Sequence, residues 1–176
     1  MNQRKRRLQL LILILLHVVF FSCHDQPRKA ESDTVKAPVK VDVNVGADMQ
    51  TMLHHATDNG DQLYDSIFLN YRRLMDTVYE NNSYTPLWSD KEHWLRSGDS
   101  LFSFIENSKE YGLFPSDYHY PALAFIRRIL QEDTLARKSA TIWARADLML
   151  TDAFFTLVKH LKQGRLKYDS VTLRKD

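Results

Sequence analysis

From Gly60 onward the apolar side chains of this chain recur every three or four positions, and no continuous stretch alternates apolar and polar residues at the period of a strand. That spacing predicts an all-α domain of about four main helices. The first has Asp61 as its cap and Tyr64, Ile67, Phe68, Tyr71, Leu74, Met75 and Val78 on one face, ending near Asn81-Asn82. Thr85, held extended by Pro86, then leads through Leu87 to Trp88. Ser89 or Asp90 offers the second start, Leu95, Leu101, Phe102 and Ile105 continue it, and Gly112 supplies a left-handed stop. Ser116 or Asp117 opens the third segment, with Tyr118, Leu123, Ile126, Ile129 and Leu130 inward and Pro121 in the first turn, where a missing N–H costs nothing. Asp133 or Thr134 begins a long last helix. Its stripe is Ile142, Ala146, Met149, Leu150, Ala153, Phe154, Leu157, Val158 and Leu161, and Gly164 ends it.

The other end of the chain is of a different kind. Arg4, Lys5, Arg6 and Arg7 precede an apolar run from Leu8 to Phe21, which as a helix reaches roughly 21 Å. A bilayer core is about 30 Å thick, so residues 1–22 read as a secretory signal rather than a membrane span. The only cysteine, Cys23, follows Ser22 where the apolar run stops, which is the placement of a lipoprotein acyl acceptor. Several acyl chains on one residue anchor stably where a single chain does not. Residue 24 is His rather than Asp, so the expected location is the outer membrane, facing the periplasm of a Gram-negative cell. Without residues 1–22 the formal charge moves from +2 to −2, because the leader carries four of the 24 basic residues and no acidic one. The apparent basicity therefore belongs to the leader, and a nucleic-acid partner is not expected. With a single cysteine no disulfide forms within the chain, and the fold must hold through its core.

Residues 23–58 read as a lipidated cysteine and flexible tether, with a short strand as an alternative where Val39, Val41, Val43 and Val45 alternate with polar residues. Residues 59–166 form the helical domain and residues 167–176 a polar connector or tail. Three sets of residues invite a chemical reading. His54-His55 with Asp58 lacks further ligands at zinc-like spacing, so no metal or cofactor is expected. Asp147 and Asp152 lie on one helix, whereas a glycosidase pair faces across a cleft; capping or pairing with residues such as Arg145 is the expected role. Trp88, Trp94, Tyr84 and Tyr118 suit either a sugar-stacking platform or core packing. Trp88 is expected inward, and Trp94 is the candidate contact for a glycan or a partner.

Four segments in order carry a family resemblance: Tyr79 to Trp88 (YENNSYTPLW), Tyr111 to Tyr118 (YGLFPSDY), Ala146 to Phe154 (ADLMLTDAF), and Gly164-Arg165. Together, over roughly Asp61 to Arg165, they resemble the N-terminal scaffold domain of large murein L,D-transpeptidases. In those enzymes a YkuD-type catalytic domain follows and attacks the donor stem peptide with a cysteine in a Ser-x-Gly-Cys setting. No cysteine follows position 23 here, so no catalytic residue is assigned. The resemblance implies a lipid-anchored, non-catalytic scaffold that works beside peptidoglycan with a catalytic domain or partner protein. The alternative is a stand-alone periplasmic lipoprotein that binds glycan or an envelope protein.

Overall fold

The computed structural model describes residues 41–64 and 67–165, and for 41–44 the backbone only. Cys23, the leader and the tail after Arg165 lie outside the described residues. Among the described residues six α-helices follow one another: α1 Val41–Asp58, α2 Arg72–Asn81, α3 Arg96–Glu106, α4 Tyr120–Glu132, α5 Thr134–Arg137 and α6 Ala140–Gln163. A two-residue hairpin, β1 Ser89–Asp90 with β2 His93–Trp94, sits between α2 and α3. Two 3₁₀ turns, Ser108–Tyr111 and Pro115–Tyr118, join α3 to α4. The all-α expectation holds.

The axis of the fold is α6. From Ala146 to Ala153 every residue is buried, so this helix is covered all round rather than along one stripe. Helix α1 lies along it, and α2, α3, α4 and the Pro115–Tyr118 turn close the remaining sides. Toward its end the cover thins, and Phe154, Val158 and Leu161, predicted inward, are exposed.

Helix α1 corrects the tether and strand readings over 41–58. Val45, Met49, Met52, Leu53 and Ala56 recur at helical spacing and are buried. The outward side carries Thr51, His54 and Thr57, which made the segment look like solvated linker. Gly46 has a packing reason. A Cβ there would stand 2.7 Å from the Tyr84 carbonyl oxygen, so α1 approaches the Tyr84–Trp88 segment backbone to backbone.

Three predicted helix starts are also displaced, each for a local reason. Gly60 and Asp61 both have φ of 65°, and two successive left-handed residues cannot open a right-handed helix. The chain instead forms a loop in which Leu63 N–H donates to Ile67 O and Leu69 N–H to Asp61 O, leaving Tyr64 and Phe68 exposed. Ser89 and Asp90 start a hairpin, not a helix, because Lys91 and Glu92 also adopt positive φ. Asp133 does cap a helix, accepting from Leu135 N–H (2.7 Å) and Ala136 N–H (3.3 Å), but that helix is the short α5. An extended Ser139 then separates it from α6. Gly112 is left-handed at φ 71°, but it closes the Ser108–Tyr111 3₁₀ turn, because α3 has already ended at Glu106. Pro121 in the first turn of α4 is where the sequence puts it, and Gly164 ends α6.

Candidate functional site

Asp147, Thr151 and Asp152 lie at the middle of α6, so any group they hold is fixed by the most buried element of the fold. Asp147 and Thr151, four apart, share one face, while Asp152 points some 140° round the helix from Asp147. The two carboxylates therefore serve different corners.

Asp147 holds the Tyr84–Trp88 corner. Leu87 N–H (3.1 Å) and Trp88 N–H (2.9 Å) donate to its carboxylate, and the Tyr79 hydroxyl donates to Oδ1 at 2.6 Å. Thr151 completes the set: its Oγ1 accepts from the Trp88 indole N–H at 2.8 Å and meets the Tyr79 hydroxyl at 2.6 Å. Burial pushes the Asp147 carboxyl up to about 6, against the downward pull of the Tyr79, Trp88 and Leu87 donors. Burial also raises the Tyr79 hydroxyl well above its usual value, helped by the charge of Asp147, so it stays a donor. From the other side Gly98 in α3 abuts the same corner, where a Cβ would stand 2.6 Å from the Trp88 carbonyl oxygen.

Asp152 holds two helix starts at once. Oδ1 accepts from Tyr71 N–H at 2.8 Å, and Oδ2 accepts from Asn70 Nδ2 at 3.2 Å and meets His119 Nε2 at 2.7 Å. Tyr71 and His119 are the N-cap residues of α2 and α4, and neither makes a capping bond with its own side chain. A carboxylate from a third helix thus stands at both N-termini, where unpaired N–H groups and the helix dipole favour negative charge.

A third polar cluster joins the Phe114–Tyr118 corner to the end of α6. Arg165 donates to Asp117 through Nε (2.5 Å), and its guanidinium lies 4.3 Å from the Phe114 ring centroid. The Tyr118 hydroxyl, pushed up to about 12 chiefly by burial, meets His160 Nδ1 at 2.9 Å. Burial lowers His160, which favours its neutral ring beside the Tyr118 hydroxyl. All four segments that carried the resemblance meet in these clusters. Tyr79–Trp88 is tied to α6 by Asp147 and Thr151, and Tyr111–Tyr118 is tied to Gly164-Arg165 by Asp117.

Asp147 and Asp152 do act by capping and pairing, and they do so from buried positions, 1% and 0% exposed. Their oxygens are committed to backbone and side-chain donors, which suits holding shape. His119 Nε2 meets Asp152 Oδ2, which fixes the ring at the start of α4. Sequence reasoning missed Tyr79, Thr151 and His119 as site members, and it missed Arg72. That guanidinium is buried and bonds Asp61, Asp76 and Thr57 together. Trp88 packs inward, with its ring 5.8 Å from that of Phe154. Trp94 is half-buried, edge-on to Trp143 at 5.0 Å, and lines a cleft. His54 lies on α1 near Asp58 at 3.5 Å and His55 stacks on Tyr64. Among the described residues no three His, Cys, Asp or Glu side chains assemble as a metal site.

This is a helical domain in which a central buried helix carries the polar groups that fix the Tyr84–Trp88 corner and the starts of α2 and α4. A family model, the Scaffold domain, matches residues 73–176. The chain belongs to that family, the scaffold domain of L,D-transpeptidases. Helix α1 precedes the matched region yet packs along α6. Comparisons with curated proteins and with solved structures gave no match.

Proposed function

We propose that this chain is the lipid-anchored scaffold portion of an L,D-transpeptidase-like protein of peptidoglycan cross-linking. It places a catalytic domain or partner near the wall and performs no chemistry itself. The observation that carries this reading is the convergence of the four family segments on α6 through Asp147, Thr151 and the Asp117–Arg165 pair. Cysteine chemistry suits acyl transfer because a modest drop in pKa gives a thiolate near neutral pH, and no cysteine follows Cys23. Acyl transfer by the assembly then falls to another segment or protein.

Two measurements test the reading. The coding frame past Asp176 is read and the native mass determined. A frame that continues into a histidine and Ser-x-Gly-Cys domain supports a transpeptidase front end. Fatty-acid labelling of wild type and Cys23→Ser tests the anchor, and equal labelling of the two sinks it. The second reading, a stand-alone envelope binding module, is favoured by Phe154, Val158 and Leu161, which stand exposed at i, i+4 and i+7 along α6. A native protein that ends at Asp176 and pellets with purified peptidoglycan supports that alternative.

A further inference from the structure

The cleft beside Trp94 has a composition that the packing of the hub does not explain. It holds about 270 Å³ between the hairpin, which supplies Glu92, His93 and Trp94, and the α4–α5–α6 corner, which supplies Leu130, Gln131, Arg137 and Trp143. Arg137 is the arginine of the lining. Arg72, Arg127 and Arg165 each bond a carboxylate, whereas Arg137, like Arg73, Arg96 and Arg128, has no such partner among the described residues. Its Nε is buried without an acceptor, as is Nη1 of Arg127; what distinguishes Arg137 is that its side chain lines the cleft. Trp143 Nε1 donates to the Arg137 carbonyl at 2.8 Å, which fixes the residue at the cleft. A partly desolvated guanidinium with no anion is unfavourable, and the group that matches its planar fork is a carboxylate.

The other walls narrow the ligand. Trp143 is 2% exposed and Leu130 4%, so they offer edges and a methyl surface rather than an open ring face for stacking a sugar. The Gln131 amide matches a peptide group. The volume lies below that of drug-sized pockets, which suits one or two amino-acid residues. We propose that this cleft binds the carboxylate end of a short peptide, with Arg137 holding the carboxylate and the Trp94–Trp143 wall covering the last side chain. The cleft carries this inference whether or not the chain is lipid-anchored.

The test uses the full chain in detergent micelles and its three indole N–H resonances. N-acetyl-alanyl-alanine is titrated against the same peptide with a C-terminal amide. The expected result is a saturable shift of Trp94 and Trp143, weaker by roughly tenfold or more for the amide. The Trp88 signal, whose N–H is bonded to Thr151, stays still. Arg137→Gln removes the response while the Trp143 signal keeps its folded position. No shift with the acid, equal shifts with acid and amide, or a response only to N-acetylglucosamine each overturns the proposal. Peptidoglycan pelleting and fatty-acid labelling read the functional proposal separately, so either can fail alone.

Discussion

The proton on Asp147 is subject to opposing influences: burial raises its affinity, and three donors lower it, with burial the larger. Because the folded value, about 6, exceeds the ordinary 3.8, the native state holds a proton between those values that the unfolded chain has released. The group's contribution to stability is therefore full below about pH 4 and lost as pH rises through about 6, a change on the order of 3 kcal/mol. His160 acts in the opposite sense. Its lowered value makes the fold lose stability as pH falls through the unfolded value of 6.5. Denaturant unfolding from pH 4 to 7 separates them: Asp147→Asn is expected to lose the decline between pH 4 and 6 and to keep the His160 slope. The same variant costs about 2–4 kcal/mol near neutrality, because an amide N–H faces backbone donors in place of an acceptor. At Gly98 the outcome is steric. Gly98→Ala drives a Cβ into the Trp88 carbonyl, and a loss of about 1–3 kcal/mol is expected in chemical denaturation.

At the scale of elements, Asp152 links three helices that are remote in sequence. Asp152→Ala leaves Tyr71 N–H, Asn70 and His119 without their acceptor and removes the negative charge from two helix starts. The expected loss is about 3–5 kcal/mol, since buried donors are left unpaired. Amide hydrogen exchange should accelerate first in the opening turns of α2 and α4. Uniform acceleration over the whole domain would show that Asp152 supports the core generally rather than these two N-termini. The hairpin shows the same dependence on a few residues. Positive φ at Lys91 and Glu92 turns the chain back, and Ser89 pairs with Trp94 to set one wall of the Arg137 cleft.

At the scale of the molecule, α1 decides how much of α6 is covered. Val45, Met49, Met52, Leu53 and Ala56 are each 5% exposed or less, and their burial against α6 is lost if α1 is absent. A chain beginning at Gly60 is expected to melt well below the full chain and to bind a hydrophobic dye, although the family match starts only at Arg73. Equal melting temperatures would mean that α1 is an accessory. What the sequence determined by itself is the helical character of the domain, the inward faces of α3 and α4, the left-handed turn at Gly112 and the stop at Gly164. Those depend on local period and on residues tolerant of positive φ, and local rules suffice for them. The helix at 41–58 was legible in principle, since its buried positions keep helical spacing; its polar outer face concealed it. Only the tertiary structure decided that Asp61 joins Arg72 instead of capping a helix, and which distant donors the buried Asp147 and Asp152 hold. It also decided that Arg137 faces the Trp94 cleft without an anion. Each outcome depends on which distant donor or acceptor arrives beside the residue, and no spacing within one helix encodes that.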